Sequence, residues 1–511
     1  MTLEEKAAQM MSLWMEKPND NAGIPKEQLP FGGKFSPELG KQKMPYGIGQ
    51  FARQRELLTP KESAEYANAV QKWLKENTRL GIPAVFYDEI LHGNMSSGST
   101  VNEKDNVLRP ALLWCDQRTE KQCAEITEKI GSETLIKLVS NPAVTGFTLP
   151  KILWLRENEP EIWKQVKTVL LPKDYIRLKL SGDKASDVAD SSGTLLFDVA
   201  KRRWSDEMLD TLEIDRNILP RVFESIEITG EVSNKAAEET GLKGGTKIIA
   251  GAGDNAAGAI GMGVTNAGTV SATIGTSGVV FAVTDAPKLD LKGRIHTLCH
   301  AIPGRWHNTG VTLAAGQSLK WFRTNFGDGK SYDELVNEAA KIPAGSDGAV
   351  WLPYLMGERT PHLDANARAA FVGLTASHTK AHLTRAVLEG VAFSLRESIE
   401  IFKETGAKIE KIRLGGGGAK SPLWRQIQAD VYNKEVEILE ADEGAAFGAA
   451  VLAGVGAGAW NSVDEACEKT IRVAETVQPN EESAEKLNRN YEAYRLLYSA
   501  LCPAMKIITG N

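Results

Sequence analysis

Lys247-Ile248-Ile249-Ala250-Gly251-Ala252-Gly253-Asp254-Asn255 is the stretch on which the reading of this chain turns. Its apolar opening suits a short strand. The Gly-x-Gly that follows lets backbone or ligand approach closely, and the turn delivers a carboxylate at the strand's carboxyl end. An aspartate placed there can take the proton of a hydroxyl group as that group attacks phosphorus. It can equally cap the alanine-rich helix expected over residues 256–262. Both roles stay open on these residues alone.

Downstream, Val270–Phe281 reads as a β-hairpin with the turn Gly275-Thr276-Ser277-Gly278. Backbone N–H groups and hydroxyls in such a turn can form an anion nest, or simply reverse the chain. Gly415-Gly416-Gly417-Gly418 closes the strand Ile412-Arg413-Leu414 and opens a helix through Ala419-Lys420-Ser421. Successive glycines between two ordered elements allow a flat group such as adenine to lie against the backbone. Residues 379–405 predict a long helix with Leu383, Ala386, Val387, Gly390, Val391, Ser394 and Leu395 on one face, stopped at Gly406. Strands alternating with helices, with glycine at the strand ends, give an α/β architecture that binds ligands at the carboxyl edges of strands. Gly329-Lys330-Ser331 looks like the end of a P-loop, but Thr324 stands where its first glycine belongs.

A chain of 511 residues is long enough for two or three domains. Hydrophobic residues at 42% and charged residues at 25% are globular proportions. The net charge of −6, with Lys and Arg dispersed among Asp and Glu, excludes the basic stripe of a nucleic-acid binder. Cys115, Cys123, Cys299, Cys467 and Cys502 form no CxxC pair, so neither a disulfide framework nor a zinc site is expected. The polar opening residues hold no apolar signal core, and no run approaches the ~18 apolar residues of a membrane span. A cytoplasmic location is the expectation.

In order and spacing these residues resemble the FGGY family of carbohydrate kinases, and most closely its members that phosphorylate D-xylulose. Leu108–Thr119, Leu171-Pro172-Lys173-Asp174-Tyr175 and Leu352–Pro361 agree, so the likeness covers about residues 102–500. It implies two actin-like, ribonuclease H-like domains clasping ATP and sugar between them. Asp254 matches the family's catalytic base, and Asn255 beside it helps hold the sugar. Gly275, Thr276 and Ser277 match a phosphate turn, while Gly316, Gly417, Gly418 and Ser421 fall where the family holds the nucleotide. Mg2+ bridging the phosphates is implied, as are small-molecule substrates, no membrane partner and a homodimer. The implied reaction is ATP-dependent phosphorylation of D-xylulose or of another sugar or polyol.

Two departures bear on that expectation. The family's first phosphate turn, Asp-x-Gly-Thr, occurs nowhere, since Asp190-Ser191-Ser192-Gly193-Thr194 has one residue too many. Its Met-His-Gly sugar motif is also absent; His92-Gly93 carries Leu91 where Met belongs. In front of the kinase-like region, Met1–Lys6, Tyr46–Gln50, Asn68–Gln71, Thr78–Pro83 and Asp88–Gly93 resemble the start of a family 3 glycoside hydrolase of the β-glucosidase or β-xylosidase kind. Glu89 falls where that family places a sugar-binding acid. So short a piece cannot close a barrel of about eight strands. The expected layout is a partial TIM-barrel-like fragment over 1–101, the incomplete first kinase domain over 102–245, and the nucleotide-binding domain over 246–500. A fusion product without turnover stays open beside the active kinase. Loss of its opening strands leaves the first kinase domain with exposed sheet edges and weak cohesion.

Overall fold

Alternation of apolar and small polar side chains builds the main sheet. Val270, Ala272 and Ile274 are buried in the core, with Thr269, Ser271 and Thr273 between them. The computed structural model describes residues 12–14, 40–41, 44, 50–52, 60–79, 85–87, 100–112, 116–440 and 444–510. Its contacts divide the chain between Asn94 and Met95 into two units, each described by itself.

In the first unit, β1 (Ser12–Trp14), β2 (Gln50–Ala52) and β3 (Val85–Tyr87) form a parallel sheet in sequential order. Helix α1 (Pro60–Asn77) lies between β2 and β3 in sequence, with proline in its first turn, where the missing N–H costs nothing. Val70, Trp73 and Leu74 are buried along it. Residues 2–12, where Thr2 and Glu5 predict a capped helix, lie outside the described residues apart from Ser12, which opens β1.

The second unit begins with short ladders. β4 (Thr100–Val101) pairs with β5 (Thr168–Val169), so residues 100–101 belong with the kinase-like region rather than with the segment before it. Helix α2 (Pro172–Ser181), β6 (Ala185–Asp187) and the single-turn α3 (Val188–Ser191) follow. Then come β7 (Phe197–Asp198), β8 (Arg203–Trp204), β9 (Arg221–Phe223), β10 (Ile228–Glu231) and β11 (Lys247–Ile249). These strands pair only two by two: β6 with β9, β7 with β8 and β10 with β11. Leu195, Leu196, Phe197, Trp204 and Met208 lie in the core that holds this region together.

After helix α4 (Asp254–Gly261) the sheet becomes continuous. Its strands are β12 (Gly268–Ile274), β13 (Gly278–Thr284), β14 (His296–Cys299), β15 (Trp306–Thr312), β18 (Ile409–Gly416), β19 (Val436–Leu439) and β20 (Val473–Val477). They run in the order β14-β15-β13-β12-β18-β19-β20, with β12, β18 and β19 mutually parallel. Helix α5 (Gly316–Phe326) follows β15, and the hairpin of β16 (Val350–Leu352) and β17 (Ala370–Val372) stands apart. The long α6 (Lys380–Glu404) is buried continuously from Thr384 to Leu395, not along one face as expected. It can be so because the charges within that run are matched inside. Arg385 Nε donates to Glu389 Oε1 at 2.7 Å, and that carboxylate also accepts from Gly345 N at 3.0 Å and Ser346 Oγ at 2.8 Å.

Helices α7 (Pro422–Tyr432), α8 (Gly444–Gly456) and α9 (Glu481–Thr509) come later in the chain. α4 and α8 consist largely of Gly and Ala, so their backbones touch; a Cβ at Gly448 would run into the carbonyl oxygen of Ala257. No described helix is long and apolar enough to cross a membrane.

Candidate active site

Three glycine-bearing turns meet at the carboxyl end of β12. The first is the hairpin turn itself, closed by Gly275 N donating to Ser277 O at 2.9 Å, with Gly275, Thr276 and Ser277 exposed. The second is the start of α5, where Gly316 N donates to Gly275 O at 2.9 Å and Gln317 N to Thr276 O at 3.1 Å. Any side chain at Gly316 would strike the Gly275 carbonyl, which explains the glycine. The third turn leaves β18, whose Gly416 lies in register with Ile274 of β12. Gly416 has φ +71° and comes so close that an added Cβ would sit 2.6 Å from Ile274 O. A Cβ on Gly418 would lie 2.7 Å from Ile274 Cβ and Cδ1, whereas one on Gly417 would find nothing nearer than Ile274 O at 3.6 Å. Gly417 therefore presents an open backbone face.

Ser421 sits just beyond, as the N-cap of α7. Its Oγ accepts from Trp424 N at 3.3 Å, a helix-capping role that the sequence reading had not given it. Gly275, Thr276, Ser277, Gly316, Gly417, Gly418 and Ser421 are thus gathered at one end of the sheet.

Asp254 and Asn255 stand elsewhere, both exposed, at the start of α4. The cap of that helix is Gly253, and Asp254 is its first residue, so the capping role considered for Asp254 is not the one it plays. Asp254 Oδ1 accepts from Asn255 N at 2.8 Å. The other end of α4 approaches β18, the strand that leads into the third glycine turn. A Cβ at Gly415 would lie 3.0 Å from Thr273 Oγ1 and 3.1 Å from Met262 Cε, just past the helix. The eight-residue α4 is ~12 Å long and runs between Asp254 and that contact.

The sequence reading assigned no role to the charged group beside Asp254. Lys173, in the first turn of α2, reaches Asp174 Oδ1 at 2.7 Å, Asp190 Oδ2 at 3.4 Å and, closest of all, Asp187 Oδ2. Arg177 Nη1 donates to Asp174 Oδ1 at 2.7 Å and to Ala185 O at 2.6 Å, and its Nη2 donates to Ala250 O. Asp190 N donates to Asp187 Oδ1 at 2.9 Å. Burial pushes the Asp187 carboxyl up to about 6 against the pull of Lys173. Burial raises Asp190 too, with the carboxylates of Asp174 and Asp254 acting in the same direction. Burial opposes charge on Lys173, but the three surrounding carboxylates outweigh it and hold the ammonium above its ordinary value. The only sequence signal was a basic residue at a strand-to-helix turn, Leu171-Pro172-Lys173-Asp174, with Asp187-x-x-Asp190 beyond it.

The model of the FGGY family of carbohydrate kinases, N-terminal domain, matches residues 91–261, and that of the C-terminal domain matches residues 270–457. The chain is 42% identical to a xylulose kinase of Lactococcus lactis over 409 residues, covering 80% of this chain and 81% of that protein. It is 39% identical to a xylulose kinase of Bacillus subtilis over 413 residues, covering 81% and 83%. The crystal structure of a ligand-bound xylulose kinase from Lactobacillus acidophilus superposes with a TM-score of 0.77 at 25% identity, over 87% of this chain and 90% of that one.

Proposed function

Because the chain belongs to the FGGY family of carbohydrate kinases, we propose that it transfers the γ-phosphoryl group of ATP to D-xylulose, giving D-xylulose 5-phosphate and ADP. One observation carries the reading: three glycine turns meet at the end of β12, and the helix that begins at the exposed Asp254 approaches β18, which leads into one of them. Identity near 40% with xylulose kinases over four fifths of the chain supports this sugar over other polyols.

In this reading Asp254 takes the proton of the attacking hydroxyl through Oδ2, which makes no hydrogen bond among the described residues. Asn255 holds the sugar beside it. The N–H groups and hydroxyls of Gly275, Thr276 and Ser277 receive the phosphates, and the faces of Gly316, Gly417 and Gly418 receive the nucleoside, with Ser421 at their margin. Magnesium bound with the substrate as Mg·ATP would supply neutralisation of phosphate charge. A cytoplasmic location, where ATP is plentiful, belongs to the same reading, as does a kinase divided into domains over 102–245 and 246–500.

ADP release from the full chain with Mg·ATP tests it, using D-xylulose, D-ribulose, glycerol and gluconate in parallel with the Asp254→Asn variant. D-xylulose should give the highest kcat/KM, and the variant should lose on the order of 10²- to 10⁴-fold in kcat. No sugar-dependent ADP above the variant, from folded protein, would overturn the proposal and leave a remnant without turnover.

We infer separately that the segment before residue 91, where the family match begins, stems from the start of a family 3 glycoside hydrolase. The parallel, sequentially ordered β1, β2 and β3, with α1 before the third strand, support this, because a β/α barrel opens in that way. Hydrolysis is not assigned to it, since that chemistry needs two carboxylates flanking the bond. Two separate reading frames in DNA sequenced across the junction would leave the fusion an artefact.

A further inference from the structure

We infer that Lys173 is a positioning residue for phosphoryl transfer: its ammonium holds Asp190, and Asp190 supports the turn from which Asp254 projects. The inference rests on the reading of Asp254 as the base. Asp190 Oδ1 lies so close under the turn that a Cβ on Gly253 would be 3.1 Å from it. The same turn is tied at Ala250 by Arg177, whose partner Asp174 is also bound to Lys173. One ammonium thus governs both anchors of the Gly251-x-Gly253 turn.

The burial makes this arrangement sensitive. Asp174 and Asp187 are fully buried, while the side chains of Lys173 and Asp190 are 26% and 34% exposed. Two cations face three carboxylates here, and Asp254 adds a fourth nearby. Without Lys173 the Asp190 charge would stand unmatched beside the base loop and would repel an ionised Asp254.

Other elements packed on the loop bring little charge to Asp254. The turn that accepts the N–H groups of Ala250 and Gly251 carries Glu224, paired with Arg202 at 2.6 Å, and Glu227, which accepts from Glu224 N at 2.7 Å. β11 brings Lys247 at its far end, and α8, packed along α4, holds no charged residue. The helix Val463–Thr470 meets α4 at Ile260, near its opposite end.

The test compares Lys173→Met, Lys173→Arg, Asp190→Asn, Lys173→Met with Asp190→Asn, and Asp254→Asn in the full chain. Each is measured for kcat, both KM values, the pH profile of kcat/KM and thermal unfolding. Lys173→Met should lower kcat roughly tenfold or more with the KM for Mg·ATP nearly unchanged. Its acid limb should move up by about one pH unit, because an unmatched carboxylate disfavours the ionised base. Lys173→Arg should restore most of kcat, and the double variant should bring the acid limb back toward the wild-type position.

An acid limb that stays in place in folded Lys173→Met overturns the inference. If Lys173→Met does not fold, Asp190→Asn decides: its limb should move to lower pH, and an unmoved limb overturns the inference equally. Asp254→Asn separates the two failures. An inactive Asp254→Asn beside unmoved limbs removes only the role of Lys173. Near-normal turnover of Asp254→Asn removes the base, and the inference with it.

Discussion

The stretch from Thr100 to Ile249 and the stretch from Gly268 onward hold their strands in different ways. The first pairs β4 to β11 in four separate two-stranded ladders, whereas the second joins seven strands in one sheet. In the sheet the backbone places the site: register sets Gly416 against Ile274, and Gly316 bonds directly to Gly275. In the ladders side chains do the placing, through the charges around Lys173 and a core of large apolar residues. The sheet should therefore be most sensitive to added volume at glycine, and the ladders to loss of charge or hydrogen bonding.

The largest expected loss of stability lies where α4 meets α8. Gly448→Ala places a methyl group into the Ala257 carbonyl, and rigid backbone cannot yield as a side-chain tip would. The expected cost is about 3 kcal/mol in urea denaturation. A cost under about 1 kcal/mol would show that the helices can slide apart, and that small residues are not what fixes Asp254 against the sheet.

Next comes the seam between the two regions. Asn141 is fully buried, and its side chain bonds to β14 on both polarities. Its Nδ2 donates to Thr297 O at 2.8 Å, and its Oδ1 accepts from Thr297 N at 3.2 Å and faces His296 Nδ1 at 3.1 Å. Asn141→Ala strands these groups without partners and should cost about 2–3 kcal/mol. An unchanged urea midpoint would mean that the ladders are held to the sheet by apolar packing alone.

A smaller, pH-dependent effect separates the seam from the sheet interior. Burial holds His296 down to about 3 and His300 to about 4, from an ordinary 6.5, and His307 is lowered as well. These histidines are neutral when folded, so the stability they confer is complete above pH 6.5 and is lost as pH falls toward 4 and 3. Burial pushes Glu358 up to about 7 and Glu397 up to about 8, from 4.5. Their contribution has the opposite sign, complete below pH 4.5 and lost as pH rises through 7 and 8. The two trends oppose each other between 4.5 and 6.5, so stability should fall outside that window on both sides. Glu397→Gln should gain about 1–2 kcal/mol on wild type between pH 6.5 and 8. Parallel stability curves for the two proteins would remove Glu397 from the alkaline loss.

What the sequence could show follows the same division. The β12–β13 hairpin, the glycine turn after β18 and the start of α7 were legible, because each is specified by residues adjacent in the chain. So was the reach of α6, between Thr379 as N-cap and Gly406 at φ +84°. Its burial on all sides was not, because Arg385 and Glu389 look like surface residues until Gly345 and Ser346 arrive from elsewhere. Two-residue strands such as β4 and β7 carry no readable period. The strand-to-helix turn at Lys173 and the Asp187-x-x-Asp190 spacing are visible in the sequence, but their placement under Gly253 depends on a contact with a distant segment that no local pattern announces.

Gly417→Ala should have the smallest effect on stability and the sharpest bearing on where the nucleotide lies. A Cβ there meets only Ile274 O at 3.6 Å, and Gly417 does not have the positive φ of Gly416, so alanine fits the backbone as it stands. Stability should change by less than about 0.5 kcal/mol. Gly418→Ala, whose methyl group would press on Ile274 Cβ and Cδ1 at 2.7 Å, should be clearly destabilised beside it. If a flat base rests on the Gly417 face, the new methyl group occupies its place. The KM for Mg·ATP should then rise roughly five- to tenfold at constant kcat, as expected when a contact equal in ground and transition states is lost. An unchanged KM in stable Gly417→Ala would move the base off this face and leave Gly316 and the hairpin turn to hold the nucleotide.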